Sequence, residues 1–216
     1  MHIADGMVPA QFCIGGYAAT GLLSWVCLRQ INRVSDPAQG IPKAALLTAT
    51  FFVASLLHIP IPPASVHLVL NGLLGVVLGY YAFLAVLIGL FFQAIMFGHG
   101  GLSTLGINAI IMGLPALLAA LIFRSGLWLL RSFPNRWAMG ISAFFGGAIA
   151  LILAVSLFAV LAVLGLPGGV DAIAERTAIF ALVTAHLPLA VIEGAFTTLV
   201  VLFLDQVKPD LLKHTW

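Results

Sequence analysis

Apolar residues run in long unbroken blocks along this chain, and polar positions collect in short segments between them. The blocks lie near 7–28, 42–58, 66–79, 81–97, 105–123, 138–166 and 177–204. The stretches between them hold nearly all the charge and the Pro and Gly clusters. None of the blocks alternates with a period of two, so barrel strands are not predicted. A bilayer offers no water to unpaired amides, and the blocks therefore predict membrane-spanning helices. The stretch from Val66 to Phe97 is the least divided, interrupted only by Gly79, Tyr80 and Tyr81. As one helix it would be about 48 Å long, well over the hydrocarbon core of ~30 Å, so it is read as two. The expectation is an all-α membrane protein with about seven transmembrane helices.

Composition agrees: 62% of the 216 residues are hydrophobic and 7% charged, with a mean hydropathy of +1.17, against roughly 25% charged in soluble domains. Seven spans leave no room for a soluble catalytic domain, so residues 1–216 are expected to form a single integral-membrane domain. Arg29, Arg33 and Lys43 fall in the first connection, Arg124, Arg131 and Arg136 in the fifth, and Lys208 and Lys213 in the tail; only Arg176 lies on the other side. The positive-inside rule then places the N-terminus outside and the C-terminus in the cytoplasm. This topology brings the terminal amine, His2, His58, His67 and His99 to the outer face. The opening residues have no basic n-region and do not read as a cleavable signal. Because His2 is large, Met1 is expected to stay in place. Cys13 and Cys27 lack metal or redox spacing and read as inert core thiols. No G-x-x-x-x-G-K-[ST] loop and no H-E-x-x-H occurs, so neither ATP hydrolysis nor a zinc protease is expected.

The first two residues carry the sharpest chemistry. The Met1 amine, the His2 amide and the His2 Nδ1 can close adjacent five- and six-membered chelate rings around one ion. The amide must lose its proton, and the resulting strong-field nitrogens favour the tetragonal or square-planar geometry of Ni(II) or Cu(II), with cobalt less obviously suited. His67 could supply a fourth nitrogen from the outer start of the third predicted helix, held by the stiff Ile59–Pro63 segment. The competing reading is an exposed His2 on a frayed terminus and an interfacial His67. Asp5 could accept from an imidazole N–H or start the first helix. His58 is a candidate transient ligand, or an interface residue. His99 sits in the glycine-rich run 98–104, suited either to a lid over a site or to an ordinary turn. Gln93, Asn71 and Asn108 are polar within apolar helices and should face other helices; Asn71, four residues after His67, would share its helix face and orient the site. Glu193 and His186 are ionisable groups deep in a span, with Pro188 between them, read as functional candidates or as a structural bond between helices. Ala45 and Ala49, and Gly140, Ala143 and Gly147, have the small-residue spacing that lets helices approach closely, within the chain or at a partner.

Three segments resemble one family: Met-His-Ile-x-Asp-Gly at residues 1–6, Val66-His67-x-x-x-Asn71-Gly72, and the run Phe97 to Asn108. They are similar to signatures of the CbiM/NikM substrate-binding (S) components of energy-coupling-factor (ECF) transporters for nickel and cobalt. The likeness spans essentially the whole chain and implies an extra N-terminal helix before a six-helix core. It also implies that the Met1 amine, the His2 amide and imidazole, and His67 bind the metal, with His99 in the occluding region. Such proteins work in the plasma (inner) membrane of prokaryotes with a transmembrane coupling (T) subunit, two cytoplasmic ATPase subunits and often a small accessory membrane protein. Ala45 and Ala49 resemble the motif that meets the T subunit. Ala4 and Met7-Val8 depart from the common openings of the family, which leaves nickel and cobalt both open, and any accessory function is expected from a separate chain. The rival readings are a membrane-embedded metal-dependent enzyme using Glu193, His186 and His99, and a metal-free scaffold subunit of a membrane complex.

Overall fold

A computed structural model describes residues 2–61, 64–165 and 172–213, with only the backbone described at 58–61, 64–66, 172 and 213. In chain order the elements are α1 (Ala10–Ile31), a single 3-10 turn (Pro37–Gly40), α2 (Ile41–Ala54), β1 (His58–Ile61), β2 (Ala64–His67), α3 (Asn71–Leu78), α4 (Tyr81–Phe97), α5 (Leu105–Leu129), α6 (Asn135–Leu164), α7 (Ala172–Val207) and α8 (Asp210–Lys213). Among the described residues four helices, α1, α5, α6 and α7, are long and apolar enough to cross a membrane, and α4 is a shorter apolar helix. Large apolar side chains such as Ile14, Leu22, Trp128, Phe180 and Leu199 remain exposed on them, as expected of helices whose outer faces meet lipid.

The predicted third span is corrected. Residues 66–79 do not form a spanning helix, because β1 and β2 pair antiparallel with His58 opposite His67 and Pro60 opposite Ser65. Only the eight residues of α3 are helical there, about 12 Å of rise, too short to cross. Two features of the backbone account for this. Pro60 has no N–H to give a helix and is tolerated in a two-stranded ribbon, and Leu70 sits in the left-handed region at φ 53°, which ends any continuous helix from β2 into α3. The all-α expectation is therefore corrected by one hairpin. The predicted first span also moves, since α1 begins at Ala10 and residues 2–9 run ahead of it.

Close backbone approaches hold the bundle together. A Cβ on Gly16 of α1 would lie 2.6 Å from Ile107 N, and one on Gly75 of α3 would lie 1.9 Å from Ala116 O of α5. These glycines let the helices touch backbone to backbone, the packing that operates where lipid gives no hydrophobic drive. Thr20 Oγ1 also donates to Gly106 O at 2.7 Å, and Tyr17 donates to Leu102 O, fixing α1 on the start of α5. Among the α6 small residues, Gly147 meets Thr197 of α7 and Gly72 of α3.

The two ends of the bundle differ. At one, Lys43 Nζ donates to Val77 O at 3.0 Å and Leu211 O at 2.6 Å, joining the start of α2, the end of α3 and the C-terminal α8. Arg29 stacks over Trp25 at 5.4 Å and Arg131 over Trp128 at 5.6 Å, the aromatic and basic pairing of a membrane interface. The other end, a helix length away along α4, holds His2, His67 and His99. Residue 2 and residue 211 thus lie at opposite ends.

Candidate metal centre

Residues 2–5 are not frayed. Ile3 is buried, 1% exposed, and Asn108 of α5 grips its peptide from both sides: Ile3 N–H donates to Asn108 Oδ1 and Asn108 Nδ2 donates to Ile3 O, each at 2.9 Å. Thr104, one turn before Asn108, donates to the same Ile3 oxygen at 2.7 Å. Asp5 is exposed and accepts from the backbone N–H of Ser103 at 3.1 Å and from the Ser103 hydroxyl. These bonds, the Ser103 hydroxyl first among them, hold its carboxyl below the ordinary range. Asp5 therefore neither meets an imidazole nor starts α1, whose first turn follows Pro9; it ties the N-terminal segment to the glycine-rich loop. That loop lies directly against the segment. A Cβ on Gly101 would fall 1.9 Å from Asp5 Oδ1, and Gly100, at φ 79°, would bring one within 3.5 Å of the His2 Cβ.

This anchoring delivers His2 beside His67 and His99. The His2 ring stacks on His67 with centroids 5.6 Å apart and lies 6.1 Å from His99. Gln93 of α4 fixes its chemistry. The Ser55 hydroxyl donates to Phe52 O at 2.7 Å and accepts Gln93 Nε2–H at 2.7 Å, so Gln93 Oε1 faces His2 Nε2 at 2.9 Å and can only accept. His2 is thereby held as the Nε2–H tautomer, with its lone pair on Nδ1, the atom the chelate requires. Burial, with His67 adding to it, holds the His2 imidazole well below its ordinary value of 6.5, so the ring is neutral. His67 ends β2, and its Nδ1 lies 3.1 Å from Leu68 O; with that nitrogen donating, Nε2 is the basic one.

Other expected residues fall differently. Met1, whose amine the chelate needs, lies outside the described residues, as does the side chain of His58, whose backbone pairs with His67. Asn71 does not share a helix face with His67, because the break at Leu70 separates them. Its side chain accepts from Gly72 N–H and donates to Met112 O at 3.2 Å, tying α3 to α5. Glu193 and His186 take separate partners: Glu193 accepts from Val69 and Leu70, while His186 Nδ1 donates to Leu182 O at 2.7 Å. Ala45 and Ala49 are exposed and line an open apolar groove of about 920 Å³ together with Leu28, Phe52, Leu84 and Ile88. Among the described residues no three His, Cys, Asp or Glu side chains form a ready metal cage. Sequence reasoning noted Gln93 without pairing it to His2, and missed Ser55, Ser103 and Thr104. The four-residue spacing of Thr104 and Asn108, two polar groups on one face of an apolar helix, was the available signal.

A family profile described as "CbiM: Cobalt uptake substrate-specific transmembrane region" matches residues 2–211. A protein of Haemophilus influenzae is 32% identical across 100% of this chain and 98% of its own length. The cobalt transport protein CbiM of Sorangium cellulosum is 29% identical over 98% of this chain and 94% of its own. The fold superposes on the crystal structure of a transition metal transporter with a TM-score of 0.76, at 27% identity over 99% of this chain and 96% of that one. It also superposes, by fold alone, on the S-component for biotin from an ECF-type ABC transporter, with a TM-score of 0.52 at 16% identity over 78% and 91% of the two chains. These likenesses replace the enzyme reading: the chain is a transporter subunit and a multi-pass membrane protein. With its opening histidine seated against His67 and its whole length matched, the chain belongs to the CbiM family of cobalt uptake substrate-specific transmembrane proteins.

Proposed function

We propose that residues 1–216 act as one unit, the substrate-binding subunit of an ATP-driven ECF importer that captures Co(II) or Ni(II) at the outer face of a prokaryotic inner membrane. The ion is held by the Met1 amine, the His2 amide nitrogen, His2 Nδ1 and a His67 nitrogen, with His99 and the glycine-rich loop closing over it. The observation that carries this reading is the Ser55–Gln93–His2 chain of hydrogen bonds, which leaves the lone pair of a buried, neutral imidazole on Nδ1 beside His67. A stacked pair of structural histidines would need no such tautomer. Metal capture releases the amide proton, so affinity falls on acidification. The chain has no nucleotide-binding loop, and inward release requires a transmembrane coupling subunit with two cytoplasmic ATPases, with or without a small accessory membrane protein. Ala45 and Ala49 present the groove to the coupling subunit.

The test compares metal content, by mass spectrometry, of protein with its native terminus and of protein carrying two extra residues before Met1, each offered nickel and cobalt. Near-stoichiometric metal in the native form alone supports the chelate, and the preferred ion names the substrate. Equal loading of both forms sinks it.

A further inference from the structure

Glu193 sits on α7, remote in sequence from every residue of the proposed centre, and is 1% exposed. Both of its oxygens serve one short stretch of chain: Oε1 accepts from Val69 N–H and Oε2 from Leu70 N–H at 3.0 Å. Two neighbouring N–H groups aimed the same way need an acceptor with two oxygens. An amide side chain would offer one oxygen and set its NH2 against the other donor. A carboxylate this deep in an apolar bundle is costly to bury, so its retention asks for a role.

The peptide that Glu193 grips is the one that orients His67. The C=O of Leu68 and the N–H of Val69 belong to a single planar peptide unit. On one edge of that plane Leu68 O lies 3.1 Å from His67 Nδ1; on the other, Val69 N–H is held by Glu193. Fixing one edge fixes the other. Drawing on the Val69 N–H also makes the Leu68 oxygen a better acceptor, which strengthens its hold on the imidazole N–H and raises the basicity of the opposite ring nitrogen. The next residue, Leu70, is the described non-glycine residue with positive φ, at 53°, a conformation leucine resists unless its surroundings enforce it. The second oxygen of Glu193 enforces it, and the turn that results separates His67 from α3.

We infer that Glu193 is a positioning residue for the metal: through the Leu68–Val69 peptide plane it sets the direction and basicity of the His67 imidazole, and so links α7 mechanically to the ligand set. This inference rests on the metal centre proposed above. The full chain with its native Met1, in detergent, is titrated with Ni(II) and with Co(II), and the d–d absorption of the bound ion is recorded for Glu193→Gln, Glu193→Asp, Leu70→Gly combined with Glu193→Gln, His67→Ala and Thr198→Val. Glu193→Gln is expected to weaken binding about 10–100-fold, as loss of an outer orienting partner does, and to move the absorption in the direction that His67→Ala moves it. Adding Leu70→Gly is expected to recover part of the loss, because glycine accepts the left-handed turn without a clamp. Thr198→Val, which removes a 3.1 Å bond from α7 to Gly140 O, is expected to lower thermal stability and leave the absorption unchanged. Should the Gln variant fail to fold, Glu193→Asp decides, since its shorter arm keeps the charge but retracts from the peptide: a native band at native affinity overturns the inference. A shift with His67→Ala that neither Glu193 variant reproduces overturns the clamp alone. No shift with His67→Ala overturns the centre and the clamp together.

Discussion

A histidine at the second position of a chain is ordinary; one whose tautomer is dictated by three successive hydrogen bonds is not. Gln93 is buried and polar inside an apolar helix, and its whole bonding capacity toward His2 follows from the direction in which Ser55 donates. Gln93→Leu keeps the volume and removes the acceptor. It is expected to weaken metal binding about 10–100-fold in a calorimetric titration, with the fold retained. The burial of His2 has a consequence for the metal-free protein too. Its folded pKa lies below the ordinary 6.5, so as the pH falls through about 6.5 the unfolded chain takes up a proton that the folded chain still refuses. Stability from this group is complete above that pH and declines below it. The thermal midpoint of the metal-free protein is therefore expected to drop on acidification below about 6.5, and His2→Gln to flatten that drop.

At the scale of elements, the segments around His2, His67 and His99 are those whose form the hydrophobic pattern conceals. Residues 66–79 read as a span because Val, Leu and Ile dominate them, yet apolar side chains serve a hairpin and a short buried helix as well as a long one. The turn at Leu70 leaves no mark in composition, since it is imposed from α7 and not by a glycine. The glycine-rich run 98–104 was legible as a break between helices, and Gly98 and Gly100 do occupy positive φ, but its contact was not: it lies on Asp5, 96 residues before Gly101 in the numbering. Gly101→Ala places a Cβ 1.9 Å from Asp5 Oδ1, so the carboxylate has to swing off Ser103. Gly101→Ala and Asp5→Ala are each expected to weaken metal binding several-fold, on the order of the ~1 kcal/mol of a lost hydrogen bond. Their effects are expected to be non-additive in a double-mutant cycle, because both release the same tether.

For the whole molecule, the proposed metal centre and the proposed partner contact lie apart. The histidines gather at one end, while the apolar groove over Ala45 and Ala49 runs along α2 and α4. Ala45→Trp with Ala49→Trp is expected to leave metal affinity of the isolated subunit within about twofold, since neither side chain touches the histidines, and to abolish uptake in cells that hold the partner subunits; surviving uptake would place the coupling contact elsewhere. Apolar block length and the distribution of Arg and Lys were enough to establish a helical membrane protein and its charge asymmetry, because lipid penalises every unpaired amide and every charge at each position along the chain. The opening Met-His pair was equally legible as a candidate, because the chelate rings it could close depend only on residues adjacent in the chain. Which amide orients which imidazole, where the helical run breaks, and which carboxylate holds the break were decided by contacts between residues about 90 to 125 positions apart, and a hydrogen bond across a bundle depends on where two backbones lie in space, not on their neighbours in the chain.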